Sequence, residues 1–130
     1  MRRAGLMMVI GAALLALTAG VALAAVRYGT SGPDTLVGTN AADAIYGYGG
    51  NDTVNGRGGN DELHGGRGAD GIQGGNGSDV VYAGRGDDYV NVRDDNFRDY
   101  VYCGRGYDTV NNMAGTVGDF FAADCEAFLE

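Results

Sequence analysis

The sequence predicts an all-β solenoid, because an aspartate recurs every nine residues and a branched aliphatic residue lies two positions after each aspartate. The aspartates are Asp34, Asp43, Asp52, Asp61, Asp70, Asp79 and Asp88. The aliphatic residues are Leu36, Ile45, Val54, Leu63, Ile72, Val81 and Val90. A short fixed period of this kind is typical of repeats that bury their apolar side chains only by stacking on one another.

Each repeat combines a glycine-rich turn with a short strand. A single inward aliphatic residue between two outward residues has the two-residue period of a half-buried strand. The chain contains 25 glycines, and glycine adopts the positive φ angles that tight turns need. With about one aliphatic residue per repeat the core is thin, so we expect metal binding to supply part of the folding free energy.

The charge pattern indicates calcium. The formal net charge is −8, and it would be near −10 without Arg2 and Arg3, so nucleic acid is not an expected partner. Stacking would place carboxylates together at one phase of the repeat, and calcium accepts six to eight oxygen ligands of this kind. Nitrogen and sulfur ligands, which transition metals favour, are nearly absent. In the alternative interpretation the aspartates only cap turns, which would not require aspartate at one phase in seven consecutive repeats.

Residues 1–24 are predicted to be a signal peptide, and the protein is predicted to be secreted. Arg2 and Arg3 precede an apolar run that extends from Leu6 to about Val26, and residues 22–24 have the small-x-small form of a cleavage site. The run is long enough to span a membrane, so an uncleaved anchor is the competing interpretation. We expect the repeats to occupy residues 25–111 and a cap to occupy residues 112–130, because a solenoid needs its open end covered.

With aspartate at position 6, the repeat reads Gly-Gly-x-Gly-x-Asp-x-apolar-x, as in residues 65–73. From about Gly29 to Asn111 this pattern resembles the RTX, or haemolysin-type, calcium-binding nonapeptide repeat. The resemblance implies a right-handed parallel β-roll in which two repeats make one turn. One side would then stack Leu36, Val54, Ile72, Val90 and Val110. The other side would stack Ile45, Leu63, Val81 and Val101.

The resemblance also implies that each calcium ion lies between two loops one turn apart, bound by two carbonyl groups and one aspartate from each loop. A first ion would use Tyr48, Gly50, Asp52, Gly65, Arg67 and Asp70. A second would use Arg57, Gly59, Asp61, Gly74, Asn76 and Asp79. A third would use Gly66, Gly68, Asp70, Ala83, Arg85 and Asp88. A fourth would use Thr30, Gly32, Asp34, Gly47, Gly49 and Asp52.

Three other aspartates fit the ligand pattern less regularly. Asp43 would share a site with Asp61, but its loop has alanine where the repeat has glycine. Asp108 is the predicted ligand of the last repeat. Asp99 follows Asp88 by eleven residues across a loop without glycine, so we expect weak or no calcium binding there.

The two cysteines are predicted to form a disulfide. Cys103 and Cys125 are an even pair in a chain predicted to be exported, and a bond between them would tie the tail to the last repeat. The alternative is two unpaired thiols that bind a metal or a partner.

The sequence does not predict an enzyme, because the single histidine, His64, has no placed nucleophile. It predicts instead an outward aromatic column of Tyr46, His64, Tyr82 and Tyr102. These rings either stack along the roll or form a strip that binds a sugar or another roll. Two functions follow: an exported calcium-binding module with a structural role, monomeric when capped, or an adhesin or carbohydrate-binding accessory protein that binds a cell-surface glycan.

Overall fold

The structure is a computed structural model and describes residues 23–92, 96–112 and 118–129. The predicted signal peptide lies outside these residues except for Leu23 and Ala24, so its cleavage stays a prediction. Within the described ranges, no helix is long and apolar enough to cross a membrane.

The described chain consists of twelve short β-strands in two parallel six-stranded sheets. The first sheet contains, in spatial order, β1 (Val26–Tyr28), β3 (Ala44–Tyr46), β5 (Glu62–Arg67), β7 (Val80–Arg85), β9 (Tyr100–Arg105) and β11 (Phe120–Phe121). The second contains β2 (Thr35–Val37), β4 (Thr53–Asn55), β6 (Gly71–Gln73), β8 (Tyr89–Asn91), β10 (Thr109–Asn111) and β12 (Ala127–Leu129). Because consecutive strands alternate between the sheets, two repeats make one turn of a solenoid with about five turns. The predicted all-β, parallel β-roll is confirmed.

The register of both sheets follows the nine-residue period. Val54 lies beside Ile72 in the second sheet, and Leu63 lies beside Val81 in the first. The two predicted aliphatic stacks are therefore confirmed, with Leu36 only partly buried at the N-terminal end. The central members of both stacks are at most 1% exposed: Ile45, Val54, Leu63, Ile72, Val81, Val90, Val101 and Val110.

The irregular spacing between Asp88 and Asp99 does not disturb the register of the strands. Val81 still lies beside Val101 after two additional residues. Val92 is buried in the core, and Asp99 is 1% exposed at the phase of the other repeat aspartates. The strand that follows Asp99 therefore pairs with the sheet in phase.

The tail continues the roll, although its sequence shows no nonapeptide repeat. Phe121 lies beside Val101, and Phe128 lies beside Val110, so one strand is added to each sheet. The rings of Phe121 and Phe128 form a T-shaped contact with a centroid distance of 5.2 Å. Phe121 also packs against the hydrophobic core, so the tail covers the apolar interior at this end. Cys125 forms the predicted disulfide with Cys103, with Cα atoms 5.2 Å apart.

Removal of the tail is expected to make the protein self-associate. Truncation after Asn111 would expose the edges of β9 and β10, and exposed strand edges pair with other chains. Light scattering in calcium should show oligomers for the truncated protein and a monomer for the full chain. Cys125→Ser should give a weaker version of the same effect, since β11 and β12 remain. A truncated protein that stays monomeric would contradict the capping role.

Candidate metal centre

The repeat aspartates form two buried columns, one along each edge of the roll. The first loop edge contains loops 29–34, 47–52, 65–70, 83–88 and 103–108. The second contains loops 38–43, 56–61 and 74–79, and Asp99 follows Asp79 in its column. In each column the backbone N–H of one aspartate donates to Oδ1 of the aspartate one turn later, at 2.8 Å from Asp52 to Asp70 and again from Asp70 to Asp88. From Asp43 to Asp108 these residues are at most 4% exposed. The two loops of every predicted ligand set are therefore neighbours along one edge.

The second carboxylate oxygen has no protein partner over much of these columns. The buried Oδ2 atoms without a hydrogen bond include those of Asp52, Asp61, Asp70, Asp88 and Asp108. A buried oxygen acceptor without a donor is costly, and an unpaired buried charge is more so. These five oxygens therefore require a proton or a cation.

The first two loops satisfy the same oxygen internally. Oδ2 of Asp34 accepts the backbone N–H of Thr30 at 2.6 Å and its hydroxyl at 3.0 Å. Oδ2 of Asp43 accepts the backbone N–H of Thr39 at 2.5 Å and its hydroxyl at 3.1 Å. The turn-capping interpretation of the aspartates thus describes these two loops, and not the loops that follow them.

Loops 47–52, 56–61, 65–70, 74–79, 83–88 and 103–108 share a backbone conformation that the first two loops lack. Positions 2 and 4 have positive φ angles, as in Gly66 (97°) and Gly68 (116°). Tyr48 (71°) and Arg57 (74°) adopt the same conformation at position 2, where a side chain is uncommon. Thr30, at position 2 of the first loop, has no positive φ.

This conformation directs carbonyl groups along the roll. A Cβ atom on Gly66 would overlap the carbonyl oxygen of Tyr48, and one on Gly68 would overlap that of Gly50. The carbonyls at positions 2 and 4 therefore face the loop one turn later, as the predicted ligand sets require. Residues 66 and 68 must be glycine because the backbone of the loop one turn earlier leaves no space for a side chain there.

Carboxylate and carbonyl oxygens also converge at position 1. A Cβ atom on Gly47 would overlap both Oδ2 of Asp52 and the carbonyl oxygen of Gly65. At Gly56 the corresponding oxygens are Oδ2 of Asp61 and the carbonyl of Gly74. Two acceptors that approach one point without a donor suit a cation, and oxygen is the ligand that calcium prefers.

Some predicted carbonyl ligands already accept a backbone hydrogen bond. The Tyr48 carbonyl accepts the N–H of Arg67 at 2.7 Å, and the Arg57 carbonyl accepts the N–H of Asn76 at 2.8 Å. The Arg85 carbonyl accepts the N–H of Gly68 at 2.8 Å. A carbonyl oxygen has two lone pairs, so one such bond leaves a second lone pair for a metal ion.

Burial makes these carboxylates hold protons more strongly. It raises the pKa of Asp61 and Asp88 to about 7, and that of Asp70 to about 6, from the ordinary 3.8. The amide of the aspartate one turn earlier lowers the pKa, and the negative charge of that aspartate raises it. Burial also raises the pKa of Asp52 and Asp108. A neighbouring divalent cation would reverse these shifts.

The columns include two acidic residues that the sequence interpretation missed. The N–H of Asp99 donates to Oδ1 of Asp119, and the N–H of Asp108 donates to Oε2 of Glu126, both at 2.9 Å. Phe121 and Phe128 follow these acids by two positions, as the aliphatic residue follows aspartate in each repeat. That spacing was the available signal, although the glycine-rich half of the repeat is missing.

A second cluster of metal-ligand types lies at the end of the roll. Cys103, Asp124 and Cys125 have ligand atoms within 4.8 Å of one another. The two sulfur atoms are bonded to each other, however, so neither is a thiolate ligand. Asp124 instead accepts the backbone N–H of Gly104 at 3.0 Å. The cluster is a covalent closure of the tail rather than a metal site.

Comparison with known proteins agrees with this geometry. No curated protein and no solved structure matches the chain. The family model of the RTX calcium-binding nonapeptide repeat, which contains four copies of the repeat, matches residues 28–63 and residues 56–90. RTX nonapeptide repeats in general bind Ca²⁺. The chain belongs, through residues 28–90, to the RTX calcium-binding nonapeptide repeat family.

Proposed function

We propose that this protein is an exported calcium-binding module with a structural role, and that its folding is coupled to the binding of several Ca²⁺ ions between stacked loops. The observation that carries the proposal is the row of buried aspartates whose Oδ2 atoms have no partner at Asp52, Asp61, Asp70, Asp88 and Asp108. These carboxylates repeat at the phase that the RTX family uses for calcium.

The balance of forces supports coupled folding. The core contains little more than one aliphatic side chain per repeat, so hydrophobic burial offsets only part of the chain entropy. Each buried aspartate also lies one turn from another, which adds repulsion between like charges when both are ionised. Cations between the loops would remove this repulsion and supply binding free energy that becomes folding free energy.

The structure also supports a ranking of the predicted sites by how strongly each depends on calcium. Asp70 belongs to two of them, one with Asp52 and one with Asp88, and all three have an Oδ2 atom that needs a cation or a proton. Asp34 and Asp43 have their Oδ2 atoms bonded to threonine, so their loops depend less on calcium. We therefore expect the principal ions in the loops from residue 47 onward.

The disulfide and the predicted signal peptide support export. A disulfide such as Cys103–Cys125 persists in oxidising compartments outside the cytosol. Extracellular calcium modules commonly have dissociation constants on the order of 10⁻⁴ to 10⁻³ M. Weak sites of this kind would fill after export and leave the chain unfolded before it.

The aromatic column gives less support to the carbohydrate-binding alternative. Ring centroids lie 4.7 Å apart from Tyr46 to His64 and from His64 to Tyr82, and 5.1 Å apart from Tyr82 to Tyr102. The inner rings therefore cover one another's faces and present only their edges, whereas an aromatic side chain stacks on a ligand through its face. This geometry favours a ladder that stiffens the sheet, and a glycan array in calcium would test the alternative.

Calcium removal is expected to unfold the protein. Circular dichroism of the mature chain should show little β-structure in a chelator and a cooperative gain of β-structure as calcium is added, with a midpoint on the order of 10⁻⁴ to 10⁻³ M. Magnesium is the control ion, because it demands a smaller and stricter octahedral shell. An unchanged spectrum and melting temperature in chelator would refute coupled folding.

Asp70→Asn separates calcium binding from turn capping. Asparagine keeps an Oδ1 acceptor for the N–H of Asp52 but removes the charge that two ions would share. The calcium midpoint of folding should rise by roughly tenfold or more, because charge-assisted contacts are lost at both sites. Asp34→Asn is the matched control and should leave the midpoint nearly unchanged. Equal midpoints for the two variants would show that Asp70 only caps its turn.

The pH dependence should have opposite signs with and without calcium. The pKa values of Asp61, Asp70 and Asp88 are raised to about 6 or 7 in the fold, so stability without calcium is lost as the pH rises from about 4 to about 7. In chelator, β-structure should therefore increase on acidification from about pH 8 to about pH 5. Calcium affinity should decrease over the same range, because protons compete for the carboxylates. Loss of β-structure on acidification in chelator would contradict these shifts.

A further inference from the structure

Three arginines form a column on the first loop edge. Arg67 lies beside Arg85, and Arg85 lies beside Arg105, at position 3 of three consecutive loops. All three side chains are exposed, and no ion pair joins any of them to a carboxylate in the part of the chain that the structure describes. We call these three residues the arginine column.

The column is a cationic strip on a chain with a net charge of −8. Neighbouring strands lie about 4.8 Å apart, so three like charges fall within about 10 Å, which is unfavourable unless an anion lies over them. Two exposed carboxylates nearby, those of Asp87 and Asp124, accept backbone amides and form no ion pair with these arginines in the described part of the chain. Asp87 accepts the N–H of Tyr107 at 2.8 Å, and Asp124 accepts the N–H of Gly104 at 3.0 Å.

A shallow groove extends the column toward the N-terminal end of the roll. It has a volume of about 540 Å³ and is lined by Thr30, Ser31, Tyr48, Gly49 and Arg67. The Tyr48 side chain is 55% exposed, and its ring lies 6.2 Å from that of Tyr28 and 6.4 Å from that of Tyr46, farther than neighbouring rings within the aromatic column. A partly exposed aromatic ring and an arginine residue therefore line one groove.

We propose that the arginine column and the Tyr48 groove bind a linear acidic polysaccharide, a polymer of sugar acids whose carboxylates recur along the chain. A guanidinium group forms paired hydrogen bonds with a carboxylate, and an exposed aromatic ring packs against the apolar face of a sugar. The roll presents these arginines at a repeat of roughly 5 Å, so more than one of them can contact the same extended polymer.

The charge of the protein favours a polysaccharide over nucleic acid. Duplex DNA carries one charge per roughly 1.7 Å, and so dense a polyanion would meet the acidic surface on either side of this narrow strip. A sugar-acid polymer carries fewer charges per unit length, and these can be confined to the strip. The surface also differs from the calcium sites, because Arg67 and Arg85 are predicted to bind calcium only through their backbone carbonyls.

The test measures the binding of a short fluorescent oligogalacturonate by anisotropy in saturating calcium, with β-structure verified by circular dichroism for each protein. The triple variant Arg67→Gln, Arg85→Gln and Arg105→Gln removes the column while leaving the backbone carbonyls in place. The matched control, Arg27→Gln, Arg93→Gln and Arg98→Gln, changes the net charge equally at arginines outside the column and outside the predicted calcium ligand sets. We expect roughly tenfold or greater weakening for the column variant and affinity close to that of the original protein for the control.

If the triple column variant does not fold, Arg85→Gln alone should weaken binding by roughly threefold. Tyr48→Ala should weaken binding of the oligosaccharide but not of free galacturonic acid at the column. Equal weakening by the column and control variants, or no saturable binding by the original protein, would overturn the proposal. Tighter binding of a short DNA duplex than of the oligogalacturonate would also overturn it, in favour of a nucleic-acid surface.

Discussion

Each turn of the roll places one buried carboxylate directly above another, and the rest of the molecule depends on how that charge is compensated. From Asp43 to Asp108, one oxygen of each repeat aspartate accepts a backbone amide of the turn before, as between Asp52 and Asp70. The other oxygen is satisfied by threonine in the first two loops but has no protein partner at Asp61, Asp70 or Asp88. Burial without a partner for this oxygen also raises the pKa of these three aspartates, so they hold protons more strongly. A protein with so thin a core has little hydrophobic free energy with which to offset it, so an external cation is the natural compensation.

The glycine pattern follows from the same stacking. Among the described residues, a positive φ at position 2 is combined with a side chain only in Tyr48 and Arg57. Each of these residues lies one turn after a loop with threonine at position 2, on the same edge of the roll. The two threonine loops lack a positive φ at position 2, so we infer that their position-2 carbonyls leave space for the Cβ atoms of Tyr48 and Arg57. One turn later that space is filled: the Tyr48 carbonyl lies where a Cβ atom on Gly66 would be. At position 2, glycine is therefore required where two loops of the same conformation are stacked, and not at the junction between the two loop types. At position 4 it is required at the junction too, since a Cβ atom on Gly50 would overlap the backbone of Gly32.

The period of the sequence was sufficient to predict the fold, because a register error of one residue would turn every aliphatic side chain outward. Together with the resemblance to RTX repeats, which implies two repeats per turn, the period also predicted both aliphatic stacks and the aromatic column. The period could not reveal that Asp119 and Glu126 extend the columns, since recognition relied on glycine and the tail retains only the spacing from acid to apolar residue. Nor could it show that Thr30 and Thr39 satisfy their aspartates, because that depends on side-chain and backbone geometry within a loop. Both omissions lie at the ends of the roll, where the repeat departs from its consensus.

These two ends differ from the middle in what holds them together. At the N-terminal end the loops of Asp34 and Asp43 are closed by hydrogen bonds from threonine. At the C-terminal end the disulfide and the contact between Phe121 and Phe128 hold the last turn. The unsatisfied carboxylates lie between them, in the loops from Asp52 to Asp108. Because each turn of a solenoid contacts only its neighbours, order can propagate from an end that is already formed. We infer that calcium stabilises the middle of the roll. The two ends, on either side of it, are stabilised by other interactions.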